Sequence, residues 1–213
     1  MDIVIKEVQD YVEKYTTRDD ALLDEIADYT LKNHPHAHML SGHFQGQLLQ
    51  MISSMIRPER ILEIGTFTGY SALSLAKGLN NNGFLHTIEV RREDAERAKS
   101  YFDRSDFRDN IILHIGDALD IIGELTETWD LVFIDADKVN YINYFKLVLP
   151  QVKQNGYILA DNVLFHGQVL EEQIKGKNAL AIQEFNDFIL QRDDLQKIML
   201  PVRDGLYLVR KLN

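Results

Sequence analysis

Apolar and polar positions follow two different rhythms along this chain, and the change of rhythm divides it. Up to about residue 57 the apolar residues recur at three- and four-residue intervals, the spacing that lines one side of a helix. Residues 2–15 read as a first helix, with Ile3, Val8, Tyr11, Val12 and Tyr15 on one side. Residues 19–33 read as a second, marked by Leu22, Leu23, Ile26, Ala27 and Tyr29. Asn33-His34-Pro35 ends it, because the residue before a proline is pushed out of the helical region. Residues 43–56 read as a third helix with Leu48, Leu49, Ile52 and Met55 as its stripe.

From Arg60 short apolar runs alternate with helical patterns. Strands are expected near 60–65, 84–89, 110–115, 130–135 and 156–161, and helices near 70–79, 92–104, 117–125, 140–150 and 177–191. Apolar strands followed by helices are the pattern of a parallel sheet covered on both faces. The segment from Lys197 to Lys211 differs, since two β-like runs flank Asp204-Gly205, a hairpin signal. The expectation is one α/β domain over 1–213, a doubly wound, Rossmann-like, seven-stranded and mostly parallel sheet ending in an antiparallel hairpin. Residues 1–57 would form a helical cap on a core of 58–213. No repeat or low-complexity linker interrupts the pattern.

Composition then removes function classes. The chain carries 23 basic and 33 acidic residues, a net charge of −10, which disfavours a duplex DNA binder. Local pairs such as Arg57/Arg60, Arg91/Arg92 and Lys175/Lys177 could still meet phosphates. With no cysteine, disulfides, thiolate metal sites and cysteine nucleophiles are excluded. No 18-residue apolar run predicts a membrane span, and the first residues lack a basic-then-apolar leader, so the cytoplasm is the expected location.

The run Ile61-Leu62-Glu63-Ile64-Gly65-Thr66-Phe67-Thr68-Gly69-Tyr70-Ser71 combines a strand, a glycine turn and a helix start, a setting for a nucleotide-like cofactor. The dinucleotide fingerprint G-x-G-x-x-G is absent, which leaves less close backbone contact for a pyrophosphate. Glu63 beside the turn suits a cofactor that carries a cation, pointing to S-adenosylmethionine rather than NAD or ATP. Glu89 ends the second strand a little over twenty residues after Gly65, where an acid accepts hydrogen bonds from ribose hydroxyls. Gly116-Asp117-Ala118 follows the third strand, where a small residue lets an adenine ring lie against the backbone. A plain turn accounts for that tripeptide nearly as well.

Four apolar residues followed by a carboxylate place Asp135 and Asp161 at the carboxyl ends of the fourth and fifth strands. If those strands are neighbours, Asp135, Asp161 and Asn162 converge into a hard oxygen site suited to Mg²⁺, or to Mn²⁺ or Ca²⁺. The competing reading is a pair of helix N-caps. Lys138, three residues after Asp135, could reach a hydroxyl at the metal, and to act as base it needs its pKa lowered by the cation and by desolvation.

Taken together these residues resemble the cation-dependent O-methyltransferases, the caffeoyl-CoA and catechol O-methyltransferases and their short bacterial relatives, which are class I S-adenosylmethionine-dependent enzymes. The resemblance runs from about Leu40 to Leu212. It rests on Leu62 to Ser71, on Phe133-Ile134-Asp135-Ala136-Asp137-Lys138 with Asn140-Tyr141, on Asp161-Asn162-Val163-Leu164 with Gly167, and on Asp204-Gly205-Leu206. It implies that Ser41, Glu63, Gly65, Thr66, Ser71, Glu89, Ala118 and Asp135 contact S-adenosylmethionine. It also implies that Asp135, Asp161 and Asn162 hold the metal, that Lys138 and Asp135 are catalytic, and that the protein pairs as a homodimer. The expected acceptor is a small aromatic diol chelated through both oxygens, one of which attacks the sulfonium methyl in line. A hydroxylated uridine of transfer RNA is the alternative acceptor, and an NAD(P)-dependent oxidoreductase the alternative class.

The acceptor end is less defined. His34, His36, His38 and His43 crowd one segment, but their spacing is not a helical pair and no acid completes a site, so a loop over the cofactor is expected. The resemblance to the plant enzymes fades here and in 164–178. Met39 is expected near the sulfonium or the substrate, Phe165 and His166 are candidate pocket walls, and Trp129 a packed residue before the fourth strand.

Overall fold

The computed structural model of the chain describes residues 4–212. Three helices come first, α1 (Lys6–Lys14), α2 (Ala21–Asn33) and α3 (Gly42–Ile56). The expected first helix is longer than the observed one. Residues 2 and 3 lie outside the described part, and α1 begins only at Lys6, because Ile5 has extended dihedrals and no side chain caps the amides that follow. α2 starts where the sequence supplies a cap, with the Asp20 carboxylate accepting from the amides of Leu22 and Leu23, both at 3.0 Å.

Strand–helix alternation then follows: β1 (Arg60–Ile64), α4 (Tyr70–Ala76), β2 (Phe84–Glu89), α5 (Arg92–Phe102), β3 (Ile111–Ile115), α6 (Ala118–Glu124), β4 (Trp129–Ile134), α7 (Tyr141–Val148), β5 (Val152–Asp161), α8 (Lys177–Leu190), β6 (Leu195–Leu200) and β7 (Leu206–Lys211). The sheet order is β3-β2-β1-β4-β5-β7-β6. β1 to β5 run parallel, and β7 inserts antiparallel between β5 and β6. This is the expected seven-stranded sheet with its closing hairpin.

Alternation along the buried strands splits the core into two layers. Ile61, Leu131, Phe133 and Leu159 face α2 to α5, and Leu62, Val132, Ile134 and Ile158 face α6 to α8. Trp129 is fully buried at the start of β4 and donates from Nε1 to the Gln151 side chain at 2.9 Å, a packing role as expected. Among the described residues no helix is long and apolar enough to cross a membrane.

Candidate active site

Strand register builds the site. Ile64 pairs with Ile88 on one side and with Ile134 on the other, and Ile134 pairs with Ala160. The next residue on each of these four strands is therefore Gly65, Glu89, Asp135 or Asp161. One glycine and three carboxylates stand in a row along the carboxyl edge of the sheet, on either side of the point where the strand order reverses, where open α/β sheets bind their ligands. A cavity of about 750 Å³ opens above that row.

The glycine is required there. Gly65 has φ +101, and a Cβ on it would stand 2.0 Å from the Asp135 carbonyl oxygen. The amides of Gly65 and Thr66 donate to the Ile88 carbonyl at 3.0 and 3.2 Å, which curls the chain tightly before Gly69 opens α4 with φ +88. Thr66 and Ser71 line the cavity floor beyond it. Glu89, 4% exposed, accepts from the amides of Phe67 (2.7 Å) and Arg91 (2.9 Å), so its carboxylate is fixed with lone pairs left for a ligand. Gly116 and Ala118 border the same wall, while the Asp117 carboxylate caps α6 at the Leu119 amide, 2.8 Å away.

Glu63 sits elsewhere. It points with Ile61 towards the α2–α5 layer, is completely buried and does not reach the cavity wall. One oxygen accepts from Thr87 Oγ1 at 2.5 Å, and Oε1 has no partner. Burial pushes its pKa up to about 8, with Ser71 and Thr87 opposing the rise. Of the expected cofactor contacts, Ser41, Gly65, Thr66, Ser71, Glu89, Ala118 and Asp135 all border the cavity, and Glu63 stands one layer behind Ser71. The reason is the strand period, which turns Glu63, one residue before the end of β1, to the same layer as Ile61.

The acid end is knit by one lysine and one tyrosine. Lys138 Nζ donates to Asp135 Oδ1 at 2.9 Å and to the Tyr141 hydroxyl at 2.7 Å. Tyr141, fully buried, donates from its hydroxyl to the Asp161 carbonyl at 2.9 Å and so ties α7 to the end of β5. Asp161 is 3% exposed, and burial followed by the charge of Asp135 pushes its pKa up to about 6. Asn162 has φ +60, and its Nδ2 leans on the Asp204 carboxylate at 3.4 Å, which leaves Oδ1 free to face the cavity. Asp204 also accepts from the His166 amide. In the sequence Asp204 is a hairpin-turn and motif residue and Tyr141 a motif residue, and neither is assigned a role at the site.

A profile of the O-methyltransferase family matches residues 13–212, nearly the whole chain. The chain belongs to this family. Caffeoyl-CoA O-methyltransferase 1 of Eucalyptus globulus is 32% identical over 203 residues, covering 90% of this chain and 82% of that one. The O-methyltransferase TomG from Streptomyces achromogenes, solved in complex with SAM, has 29% identity and a TM-score of 0.88 over 97% of this chain and 96% of its own. An O-methyltransferase from Bacillus cereus, solved in complex with SAH, has 28% identity and a TM-score of 0.88 over 96% and 97%.

The far wall of the cavity is made of short 3-10 turns and one helix start: His38 and Met39 on one side, Phe165, His166 and Asn178 at the head of α8 on the other. Phe165, His166 and Gly167 all have positive φ, so the chain kinks as it leaves the acid end. The histidine-rich segment divides. His34 Nε2 pairs with Asp94 at 2.9 Å and His43 Nδ1 with Asp19 at 3.2 Å, while His38 borders the cavity. Among the described residues no group of three His, Asp or Glu side chains is placed to hold a metal ion. Two of the basic residues are engaged locally, Arg60 with Glu127 at 3.0 Å and Arg91 with Asp94 at 2.7 Å.

Proposed function

We propose that this protein moves the methyl group of S-adenosylmethionine to one hydroxyl of a catechol-type acceptor, held by a divalent cation at Asp135, Asp161 and Asn162. The observation that carries the reading is the row Glu89, Gly65, Asp135, Asp161 on one sheet edge, with Lys138 and Asn162 beside it. The family and the Streptomyces and Bacillus structures, titled with SAM and SAH, support the donor. The caffeoyl-CoA relatives support an aromatic diol.

The residues fit the cation. Asp135 and Asp161 follow directly on paired positions of β4 and β5, Lys138 bonds the first of them, and Asn162 beside them offers an amide oxygen. Two carboxylates and an amide oxygen are the hard donors that Mg²⁺ prefers, with Mn²⁺ and Ca²⁺ as substitutes. Bound there, the cation would acidify a chelated hydroxyl and fix the orientation of the diol.

The chain's own side chains do the remaining work. Lys138 Nζ, after giving its own proton to solvent, takes the proton of the hydroxyl to be methylated, and Tyr141 and Asp135 hold that nitrogen in reach. Glu89 accepts from the ribose hydroxyls, Ala118 leaves room for the adenine, and Ser41, Thr66 and Ser71 carry the amino-acid end. Much of the acceleration then comes from holding sulfonium and oxygen in line. A homodimer belongs to this reading. α1 buries none of its residues, and Ile5, Tyr11 and Tyr15 are each more than 60% exposed, a surface that a second copy would cover.

A methyl-transfer screen tests the proposal, using catechols, caffeoyl thioesters, flavonoids and hydroxylated against unmodified transfer RNA, with and without chelator. Transfer to a diol that stops with chelator and returns with Mg²⁺ is the expected result. Chelator-insensitive transfer, or turnover of monohydroxylated acceptors as fast as diols, would overturn it.

A further inference from the structure

The carboxylate read as the ribose acceptor is held in place by a second carboxylate buried behind it. Glu89 takes the amide of Phe67 on Oε2 at 2.7 Å and the amide of Arg91 on Oε1 at 2.9 Å. Those amides belong to different segments, the glycine turn after β1 and the connection from β2 to α5. The position of Glu89 therefore depends on what holds these two residues. Phe67 is the strained one. Its φ is +50, a left-handed conformation that a bulky L residue keeps only where surrounding contacts enforce it.

The contacts converge on Asp94, which stands in the first turn of α5 and is 6% exposed. The His34 ring meets the Phe67 ring edge-on, with centroids 4.6 Å apart, and the Arg91 guanidinium stands over the same ring at 5.4 Å. Asp94 Oδ1 lies 2.9 Å from His34 Nε2, and Oδ2 lies 2.7 Å from Arg91 Nε. The other His34 nitrogen fixes the tautomer. Nδ1 accepts from the His36 amide at 3.0 Å, so Nε2 carries the proton and donates to Asp94. Arg91 Nε also stands 3.5 Å from Glu89 Oε1. Asp94 thus fixes both groups that brace Phe67, and one of the two faces Glu89 directly. Phe67, Glu89 and Arg91 border the cavity, whereas Asp94 and His34 lie behind its wall.

We propose that Asp94 is a positioning residue for the methyl donor. Through His34 and Arg91 it holds Phe67 in its strained turn and keeps both amides on Glu89, so that the free lone pairs of Glu89 meet the ribose hydroxyls. This rests on the reading of Glu89 as the ribose acceptor.

The experiment measures, by calorimetry on the full-length protein with no metal or acceptor added, the affinity for S-adenosylhomocysteine and for its analogue lacking both ribose hydroxyls. The variants are Asp94→Ala, Asp94→Asn, Glu93→Ala and Glu89→Ala, with a melting temperature for each. Asp94→Ala is expected to weaken S-adenosylhomocysteine about fivefold or more, part of what hydrogen bonds to a charged group contribute, and to leave the analogue within about twofold. Asp94→Asn keeps an acceptor for His34 and should lose about threefold, again only for the ligand with its hydroxyls. Glu93→Ala removes an exposed acid from the same first turn, which weakens the helix start without touching the network, and should bind both ligands as wild type does. An equal loss for both ligands in Asp94→Ala means a merely structural role and overturns the proposal, as does S-adenosylhomocysteine affinity within about twofold of wild type. Should Asp94→Ala not fold, Asp94→Asn decides by the same comparison. A matching loss in Glu93→Ala assigns the effect to the helix start and also overturns it. Glu89→Ala that binds S-adenosylhomocysteine undiminished, or that loses both ligands alike, overturns the ribose reading of Glu89 and the proposal with it.

Discussion

The two halves of the cavity are built from different material. The half assigned to the cofactor is made of strand ends and the turns that follow them: Gly65 and Thr66 locked to Ile88, Glu89 locked to two amides, Ala118 at the head of α6. The half assigned to the acceptor is made of short 3-10 turns and a helix start, with Met39 42% exposed, the His166 side chain 59% exposed and three successive residues at positive φ. Where register dictates position, a one-residue change moves every neighbour. Where a short turn does, side chains can change without disturbing the sheet. A scaffold of this kind keeps one donor and exchanges acceptors.

That contrast can be broken experimentally, and the strand-end residues should break it hardest. Asp161→Ala is expected to lower kcat/KM by roughly 10³-fold or more, with Mg²⁺ activation lost in a titration of rate against metal. Lys138→Met should follow, with kcat down about 10²- to 10³-fold and cofactor affinity by calorimetry within twofold of wild type. Equal losses in kcat and cofactor affinity would mean that Lys138 is structural. Glu89→Ala should weaken S-adenosylmethionine binding by roughly 10- to 100-fold, the worth of hydrogen bonds to a charged group, and leave the acceptor KM alone.

Glu63 offers a pH test of the layer beneath. Its pKa is about 8 in the fold against 4.5 as an ordinary glutamate, so folding takes up a proton between those values. Its contribution to stability is therefore full below pH 4.5 and is lost as pH rises through about 8. Glu63→Gln removes the slope. Its advantage over wild type in urea unfolding should grow by about 2–3 kcal/mol between pH 6 and 9. A constant difference would show that Glu63 ionises in the fold as it does in the open chain. The smallest effects belong to the acceptor half. Phe165→Ala and His166→Ala should change KM among diol acceptors a few-fold, about 1 kcal/mol, with cofactor affinity untouched.

Sequence exposed the parts that strand periodicity governs. Asp135 and Asp161 each follow an apolar run, and once β4 and β5 pair as neighbours their meeting is forced. The same periodicity, applied one step further, would have turned Glu63 inward. Asp204 is legible as a turn, but its contact with Asn162 is not, because it depends on β7 returning beside β5, 42 residues after Asn162. The α1 boundary was misjudged because apolar spacing continues past the point where capping fails.

The Asp19 carboxylate, only 3% exposed, stands 3.2 Å from His43 Nδ1 and accepts from Gln47 at 2.8 Å and from the Tyr70 hydroxyl of α4. The histidine-rich segment is thereby nailed down at one end, and the His34–Asp94 pair holds the other. That side of the mouth does not swing as a door, because doing so would strip several buried polar groups of their partners together. Movement at the mouth is then expected at the opposite jamb, between Phe165 and the start of α8. A bulky label at Asn178 should then slow product escape while a bound donor analogue is held as tightly as before.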